Sequence, residues 1–168
     1  QLSGDKDGAA SLALADRARR VHVLVRSNEV ARSLRGTLMA KAVHGRVTVG
    51  VIGAGRLPYA DFLVNAVFVS DWCGVSADEV QRVLAPNGTL LLTAQPTTDA
   101  RRALGEAGFV RGPDGQDLVV YQKAWPEDLD HWTHFLHGPS GNAVSRDGRV
   151  GPPTSLRWSA GPHYGRHH

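Results

Sequence analysis

The sequence predicts a doubly wound, mostly parallel, Rossmann-like α/β domain followed by an irregular C-terminal arm. Three observations predict it: short β-branched stretches alternate with amphipathic helical stretches, turn residues separate them, and the periodicity stops after Lys123. Helices that alternate with buried strands indicate a parallel sheet covered on both faces by its crossover helices. The predicted domains are therefore residues 1–123 and 124–168.

The first half of the domain contains two helix and strand pairs. Residues 9–20 have the apolar spacing of an amphipathic helix. Residues 21–25 (VHVLV) are typical of a strand buried on both faces. Asn28 is predicted to cap a helix that runs to about His44, and residues 47–52 form the next strand.

The second half continues the alternation. Residues 62–70 are mostly apolar and predict a strand, and Ser76 and Glu79 have the capping-box spacing of a helix start. The remaining predicted elements are a turn at Pro86-Asn87-Gly88, a strand over 89–94, a helix capped by Thr98 or Asp99 that ends at Ala107, and a strand over 117–122.

Composition excludes several classes of protein. Lys plus Arg is 19 and Asp plus Glu is 16, for a net charge of +3 in 168 residues. The arginines are spread among apolar positions, so the pattern favours solvated helix and strand ends over a nucleic-acid-binding face. One cysteine excludes an intrachain disulfide framework. No apolar run is long enough to predict a membrane span.

The last 45 residues differ in character from the domain. They contain three of the four Trp and six of the eight His, with Gly and Pro throughout and little periodicity. Such a stretch does not predict a core of its own, and it is interpreted as an arm, a linker or the first piece of a following domain. The termini suggest a mature or cut piece of a longer protein.

Two segments resemble a known family. The segments GAGRLPYADFLVNAVFVSD and VQRVLAPNGTLLL are in the order and spacing found in class I S-adenosylmethionine-dependent methyltransferases, and the resemblance covers about residues 2–123. It implies S-adenosylmethionine as the cofactor. It also implies that the first strand of the sheet is largely missing and lies before Gln1.

The resemblance places the cofactor at positions that depart from the family pattern. Gly4 and Gly8 match the outer glycines of the first motif, but Lys6 stands where the middle glycine is expected. The acid that binds the ribose is replaced at Val25, with Arg26 next, and the acid that binds adenine is replaced at Gly53. The candidate cofactor-binding residues are Gly4, Asp5, Asp7, Gly8, Arg26, Gly53, Ala54 and Asp71.

The motif His131-x-x-His134-x-x-His137 has two interpretations. On a helix, adjacent rings of this spacing could share a metal ion, although all three would do so awkwardly. In the favoured interpretation Trp132, Phe135 and Leu136 pack while the histidines make ordinary hydrogen bonds. No metal site is therefore assigned, and no catalytic residue is nominated.

The C-terminal segment has a resemblance of its own. The stretches WTHFLHGPSGNAVS and VGPPTSLRWSAGP resemble the junction, in secreted bacterial proteins, between a methyltransferase-like domain and a pyrroloquinoline-quinone-type β-propeller. The resemblance implies the periplasm or cell envelope, with the cytoplasm as the alternative. No propeller blade repeat is visible in the sequence.

Two functional hypotheses follow. In the first, the domain is a degenerate methyltransferase that serves as a scaffold or interaction subunit of a larger protein or complex. Its partner, or the rest of its own longer chain, would contact the aromatic anchors Trp125, Trp132, Trp158 and Tyr164. In the second, it is an active methyltransferase of unknown substrate in which Asp5, Asp7 and Asp71 bind the cofactor.

Overall fold

The computed structural model describes residues 9–53, 55–113 and 118–149. The chain divides into two compact units, Gln1–Trp125 and Pro126–His168, and each is described by itself. The elements of the first unit are α1 (Ala9–Arg17), β1 (Val21–Val25), α2 (Asn28–Ala40), β2 (Val47–Val51), β3 (Val64–Val69), α3 (Ala77–Val83), β4 (Leu84–Leu92), α4 (Thr98–Glu106), β5 (Phe109–Arg111) and β6 (Val119–Lys123).

The strands of the first unit form two sheets. β1 and β2 are a parallel pair in register from Val21 opposite Val47 to Val25 opposite Val51. The other four strands have the order β3-β4-β6-β5. β3 and β4 are parallel, whereas β6 runs antiparallel to both of its neighbours. The predicted fold class is confirmed as mixed α/β with parallel pairs, and the described strands form no closed barrel.

The two faces of β1 pack into different cores because its side chains alternate. Val23 packs with Ala15 of α1 and Leu34 of α2 in what we call the α1/α2 core. Leu24 points the other way and packs with Val67 of β3 in what we call the α3 core. Helices therefore cover opposite faces of the sheet layer, as a doubly wound fold requires.

The observed elements differ from the predicted ones in several places. The N-caps of α2 and α4 are Ser27 and Thr97, each one residue before the predicted caps Asn28 and Thr98. α2 ends at Ala40, before the predicted end at His44, and Ala42 takes the left-handed conformation with φ of 54°. β4 already begins at Leu84, and a register shift against β3 accommodates the predicted Pro-Asn-Gly turn within the strand. β5 was not predicted, since three residues carry too little periodicity to be recognised.

The start of α3 follows the capping prediction. Ser76 is the N-cap, and its hydroxyl oxygen accepts a hydrogen bond from the Glu79 N–H at 3.2 Å. The Glu79 carboxylate accepts from the Leu57 N–H at 2.8 Å. The motif therefore attaches the loop before β3 to α3 as well as starting the helix.

Candidate functional site

The carboxyl ends of β1 and β3 meet at one edge of the molecule. Arg26 follows β1 and Asp71 follows β3, and Arg26 Nη2 lies 2.9 Å from Asp71 Oδ1. In open α/β sheets, ligands bind in the crevice outside the carboxyl ends of the strands. This edge is therefore the candidate site, and two of the predicted cofactor residues lie in direct contact there.

The Asp71 carboxylate is occupied by protein donors. Besides Arg26, the backbone N–H of Cys73 donates to Oδ1 at 2.9 Å. These bonds, first the one from Arg26, lower the pKa of Asp71, and the carboxylate in turn raises the pKa of Arg26. The side chains are 63% and 40% exposed, so solvent screens the pair and its contribution to stability is small. The pair is important because Asp71 Oδ1 already accepts two hydrogen bonds from the protein.

A cleft of about 280 Å³ opens beside this pair at the carboxyl ends of β3 and β4. Trp72 forms part of its wall, and no side chain in its lining is charged. The lining residues are Val69, Ser70, Trp72, Leu92, Thr93, Ala94, Gln95, Pro96, Thr97 and Ala100. Hydroxyl and amide groups on a largely apolar surface suit a small neutral ligand.

A histidine and a tyrosine meet on the α3-core side of β1. The Tyr59 hydroxyl lies 2.7 Å from His22 Nδ1, with the two rings edge to face at 5.6 Å between centroids. Burial lowers the pKa of His22 and raises the pKa of Tyr59 to about 12. A β-carbon on Gly50 of β2 would come within 2.8 Å of His22 Nε2. The small residue on β2 therefore makes room for the imidazole.

Arg82 of α3 holds the loop before β3 in place. Its guanidinium donates to Glu79 Oε1 at 2.7 Å and Oε2 at 2.9 Å, to Asp61 Oδ1 at 2.6 Å, and to the carbonyl oxygens of Tyr59 at 2.9 Å and Leu57 at 3.3 Å. The bond to Glu79 is the main reason that the pKa of Arg82 is raised. The position of Tyr59 beside His22 therefore depends on Arg82.

The described residues of the candidate site do not fit the ribose of S-adenosylmethionine in the way the family resemblance implies. Val25 is fully buried in the α1/α2 core, and the next residue is a cation already bonded to Asp71. At Gly53 a β-carbon would meet nothing within 4 Å, so there is open space on that side of the residue. The predicted positions Gly4, Asp5, Asp7, Gly8 and Ala54 lie outside the described residues.

The second unit contains a carboxylate that gathers four donors. Asp130 Oδ2 accepts from His137 Nε2 at 2.5 Å, from Ser145 Oγ at 3.2 Å and from the Arg146 N–H at 2.6 Å. Its Oδ1 accepts from the His131 N–H at 2.8 Å. Asp130 therefore joins both ends of the segment from His131 to Arg146.

The histidine motif lies on a tight turn and not on a helix. His134 and His137 form an isolated antiparallel bridge, and His137 has a left-handed φ of 65°. In the described part of the chain, no group of three His, Cys, Asp or Glu side chains could hold a metal ion. His137 is directed to Asp130, and His134 Nδ1 lies 2.8 Å from the Thr133 hydroxyl.

The expected packing of the intervening apolar residues is wrong. Phe135 is 93% exposed, and Trp132 and Leu136 are about half exposed. The turn places Phe135 at its tip, where the described chain has nothing to cover it. Trp132 keeps an edge-to-face contact with the His137 ring, with centroids 5.4 Å apart. Of the other predicted anchors, Trp125 is 40% exposed, and Trp158 and Tyr164 lie outside the described residues.

The pKa of Asp130 makes a pH-dependent prediction for this unit. Hydrogen bonds, the largest from the Arg146 N–H, lower the pKa of Asp130 to about 2. Because the unfolded value is about 3.9, the stabilisation is complete above that pH and is lost as the pH falls toward 2. The NMR resonance of the Trp132 indole in the folded protein should therefore shift with a midpoint near pH 2. Asp130→Asn should abolish this shift, Glu127→Gln should leave it, and an unchanged shift in the Asp130 variant would contradict the assignment.

Sequence analysis missed several residues that organise these sites. Tyr59 and Arg82 attracted no attention because several of their partners are distant in the sequence. His22 lies 37 residues from Tyr59, and Leu57 lies 25 residues from Arg82. Lys123 directly follows the last predicted strand, where a charged residue is ordinary, yet it is 1% exposed. The capping spacing of Ser76 and Glu79 was the one local signal near this network. None of the other contacts has a sequence signature of its own.

Comparisons with known structures identify the fold. The [4+2]-cyclase SpnF has a TM-score of 0.62 and 14% identity over 74% of this chain and 75% of that chain. A SAM-dependent methyltransferase from Methanosarcina mazei has a TM-score of 0.59 and 13% identity over 74% of this chain and 92% of that chain. A SAM-dependent methyltransferase from Aquifex aeolicus has a TM-score of 0.58 and 14% identity over 72% of this chain and 79% of that chain.

The first unit therefore has the Rossmann-like fold of class I SAM-dependent methyltransferases. At this level of identity the similarity concerns the fold alone. No known protein family matches the sequence, and no curated protein is significantly similar to it. Among the described residues, the structure has no helix of the length and apolarity that a bilayer crossing needs.

Proposed function

We propose that this chain is a degenerate methyltransferase-like domain that serves as a scaffold or interaction subunit of a larger protein or complex. The observation that carries the proposal is the Arg26–Asp71 pair at the carboxyl edge of the sheets. A cation stands next to the position where the family resemblance implies a ribose-binding acid. The nearby carboxylate that could have substituted for that acid is bonded to this cation and to the Cys73 N–H.

The binding free energy lost with these acids determines whether the chain can bind S-adenosylmethionine. A hydrogen bond to a charged group contributes about 1.5–3 kcal/mol. Without the carboxylates for the ribose and adenine, the affinity for S-adenosylmethionine is expected to fall by roughly two to four decades. Methyl transfer depends on holding the donor in line with its acceptor, so a site that does not hold the donor loses the proximity that accelerates the reaction.

Isothermal titration calorimetry with S-adenosylmethionine and S-adenosylhomocysteine tests the proposal. We expect no binding below about millimolar concentration, because Val25 and Gly53 stand at the two positions where the family resemblance implies carboxylates. A binding-competent methyltransferase titrated under the same conditions serves as the positive control. The variant Arg26→Gln, which frees Asp71, checks whether the ion pair alone prevents binding. Micromolar binding by the unchanged chain would overturn the degenerate assignment.

One observation favours the second hypothesis, an active methyltransferase of unknown substrate. The uncharged cleft beside Trp72 lies at the carboxyl ends of β3 and β4, close to where the donor would bind in this fold. If the calorimetry shows binding, the acceptor is expected to be a small neutral molecule in this cleft. Trp72→Ala should then weaken acceptor binding while leaving the affinity for S-adenosylhomocysteine unchanged.

The interaction role is proposed for residues 124–168, with residues 1–123 as the methyltransferase-like domain. The exposed rings of Trp132 and Phe135 support it, since aromatic side chains supply much of the energy of protein interfaces. Acrylamide quenching that reaches Trp132 in the isolated chain but not in the native complex would support the contact.

The proposed location is the periplasm or cell envelope, because the C-terminal segment resembles the junction in secreted bacterial proteins. Osmotic-shock fractionation of the source cells tests this location.

A further inference from the structure

The cations of the first unit are unevenly distributed along the chain. Residues 9–53 contain eight Lys and Arg but only two acids, whereas residues 55–113 contain five Lys and Arg and six acids. In the sequence these cations alternate with apolar positions and show no obvious cluster. The fold determines whether they disperse over the surface or gather on one part of it.

The ends of α1 and α2 bring most of these cations together. Both helices pack on the same face of β1, and short turns lead from α1 to Val21 and from α2 to Val47, the amino ends of the paired strands β1 and β2. The Val21 N–H donates to Arg46 O at 2.9 Å, so the two turns are adjacent. The Arg46 guanidinium also donates to the carbonyl oxygens of Ala15 and Ala18 near the end of α1.

Six exposed basic residues at these turns form what we call the amino-edge patch. The patch consists of Arg17, Arg19, Arg20, Lys41, His44 and Arg46. Among the described residues, none of the six forms an ion pair. Asp16 is the only acid in residues 9–20 and 41–53. The patch therefore carries positive charge that the described part of the unit does not neutralise.

The amino-edge patch is separate from the candidate site. Arg20 and Arg26 flank the five residues of β1, so their backbones lie roughly 20 Å apart. The patch lies at the amino ends of β1 and β2, whereas the candidate site lies at the carboxyl ends of β1 and β3. A partner of the patch would therefore leave the candidate site open.

The residue types of the patch indicate which anionic partner it fits. Four of its six residues are arginines, whose planar guanidinium groups bind phosphate oxygens in pairs. Residues 9–53 contain no Phe, Trp or Tyr, so the patch lacks the aromatic rings on which nucleic-acid bases stack. Met39, two residues before Lys41 in the last turn of α2, is instead 66% exposed. An apolar side chain beside cations suits the boundary between phospholipid headgroups and acyl chains.

We propose that the amino-edge patch binds the surface of a membrane that contains anionic phospholipids. Its cations contact the phosphate groups, and Met39 enters the boundary between headgroups and acyl chains. The contact is peripheral and reversible, and it weakens as the salt concentration rises because the exposed charges are screened. The proposal goes beyond the proposed function, since it involves neither the candidate site nor the C-terminal arm.

Vesicle sedimentation with the full chain tests the proposal. The probes are vesicles of phosphatidylcholine alone and of an equimolar mixture of phosphatidylcholine and phosphatidylglycerol. The unchanged chain should bind the mixed vesicles and not the neutral ones. The triple variant Arg19→Gln, Arg20→Gln and Lys41→Gln should bind the mixed vesicles roughly a hundredfold more weakly, because each cation near an anionic surface contributes about fivefold. Met39→Gln should weaken binding about threefold.

The matched control is the triple variant Arg32→Gln, Arg101→Gln and Arg102→Gln. It removes the same charge from exposed positions in the first half of α2 and on α4. Its affinity for the mixed vesicles should fall by no more than about threefold, since these cations lie outside the patch and are screened from its lipids. Circular dichroism verifies that all variants remain folded.

Four results would overturn the proposal. The first is no binding of the unchanged chain to the mixed vesicles. The second is an equal loss in the two triple variants, which would show that binding follows net charge and not the patch. The third is unchanged binding by Met39→Gln, which would exclude the apolar contact. The fourth is tighter, patch-dependent binding to a labelled duplex DNA or single-stranded RNA, which would assign the surface to nucleic acid. No measurement includes S-adenosylmethionine, so failure here is separate from failure of the proposed function.

Discussion

Arg82→Met is expected to lower the free energy of unfolding by about 2–4 kcal/mol. The guanidinium donates to two carboxylates and two backbone carbonyls, and its side chain is only 23% exposed. Methionine keeps much of the length of the side chain but leaves the carboxylate of Glu79 without its cation. The midpoint of urea unfolding measures the loss, and the accessibility of Tyr59 reports whether the loop is released.

The matched control for this variant is Arg102→Met. Arg102 also lies on a helix and pairs with an acid three residues earlier, Asp99 at 3.2 Å, but its side chain is 70% exposed. Exposed pairs of this kind contribute about 0–1 kcal/mol, so this variant should unfold almost as the unchanged protein does. Equal losses in the two variants would show that Arg82 does not organise the loop.

Arg82 also controls an acid-dependent part of stability. Its hydrogen bonds are the main reason that the pKa of Glu79 is lowered. A lowered carboxylate pKa gives stability that is present above the unfolded value of about 4.3 and is lost as the pH falls through the folded value. In Arg82→Met the unfolding free energy should therefore depend less steeply on pH below about 5.

Lys123→Ala is expected to cost about 2–4 kcal/mol of unfolding free energy. The side chain is 1% exposed, and Nζ donates to Gln81 O at 2.6 Å and Leu84 O at 2.7 Å. These carbonyls lie at the end of α3, where backbone acceptors lack helical partners and a cation is favoured. The ammonium also lies 4.1 Å from the centroid of the Phe62 ring. Alanine removes all three contacts and leaves a cavity.

Two further variants separate the causes. Lys123→Met keeps the packing of the aliphatic stem and removes the donors, so it should cost less than Lys123→Ala. Lys41→Ala, at an exposed position just after α2, should change the unfolding free energy by no more than about 0.5 kcal/mol. Thermal unfolding followed by circular dichroism compares the three. A Lys123→Ala protein as stable as the Lys41 variant would contradict the structural role.

The fold could be predicted from the sequence as far as local patterns reach. VHVLV predicted β1 at its observed bounds because a short apolar β-branched run has few alternatives. The spacing of Ser76 and Glu79 placed the start of α3 because capping is decided within one turn. Local patterns did not predict that β6 is antiparallel or that β5 exists, because both depend on pairing across the sheet.

The candidate site was predictable in its parts but not in its arrangement. Arg26 and Asp71 were both nominated as cofactor residues, yet their separation of 45 positions concealed that they bond to each other. Phe135 was expected to pack, because an apolar residue between histidines gives no sign of whether a turn will expose it. Each outcome depends on which surfaces meet in the folded chain.

The sequence by itself determined the order and type of the main elements, because hydrophobic period, caps and turns act over a few neighbouring residues. Only the tertiary structure decided that Lys123 is buried at the end of α3, that Arg26 pairs with Asp71, and that the antiparallel strand β6 lies between β4 and β5. These are contacts between segments far apart in the chain. Their energies depend on desolvation and geometry, which residue identity does not specify until the segments have packed.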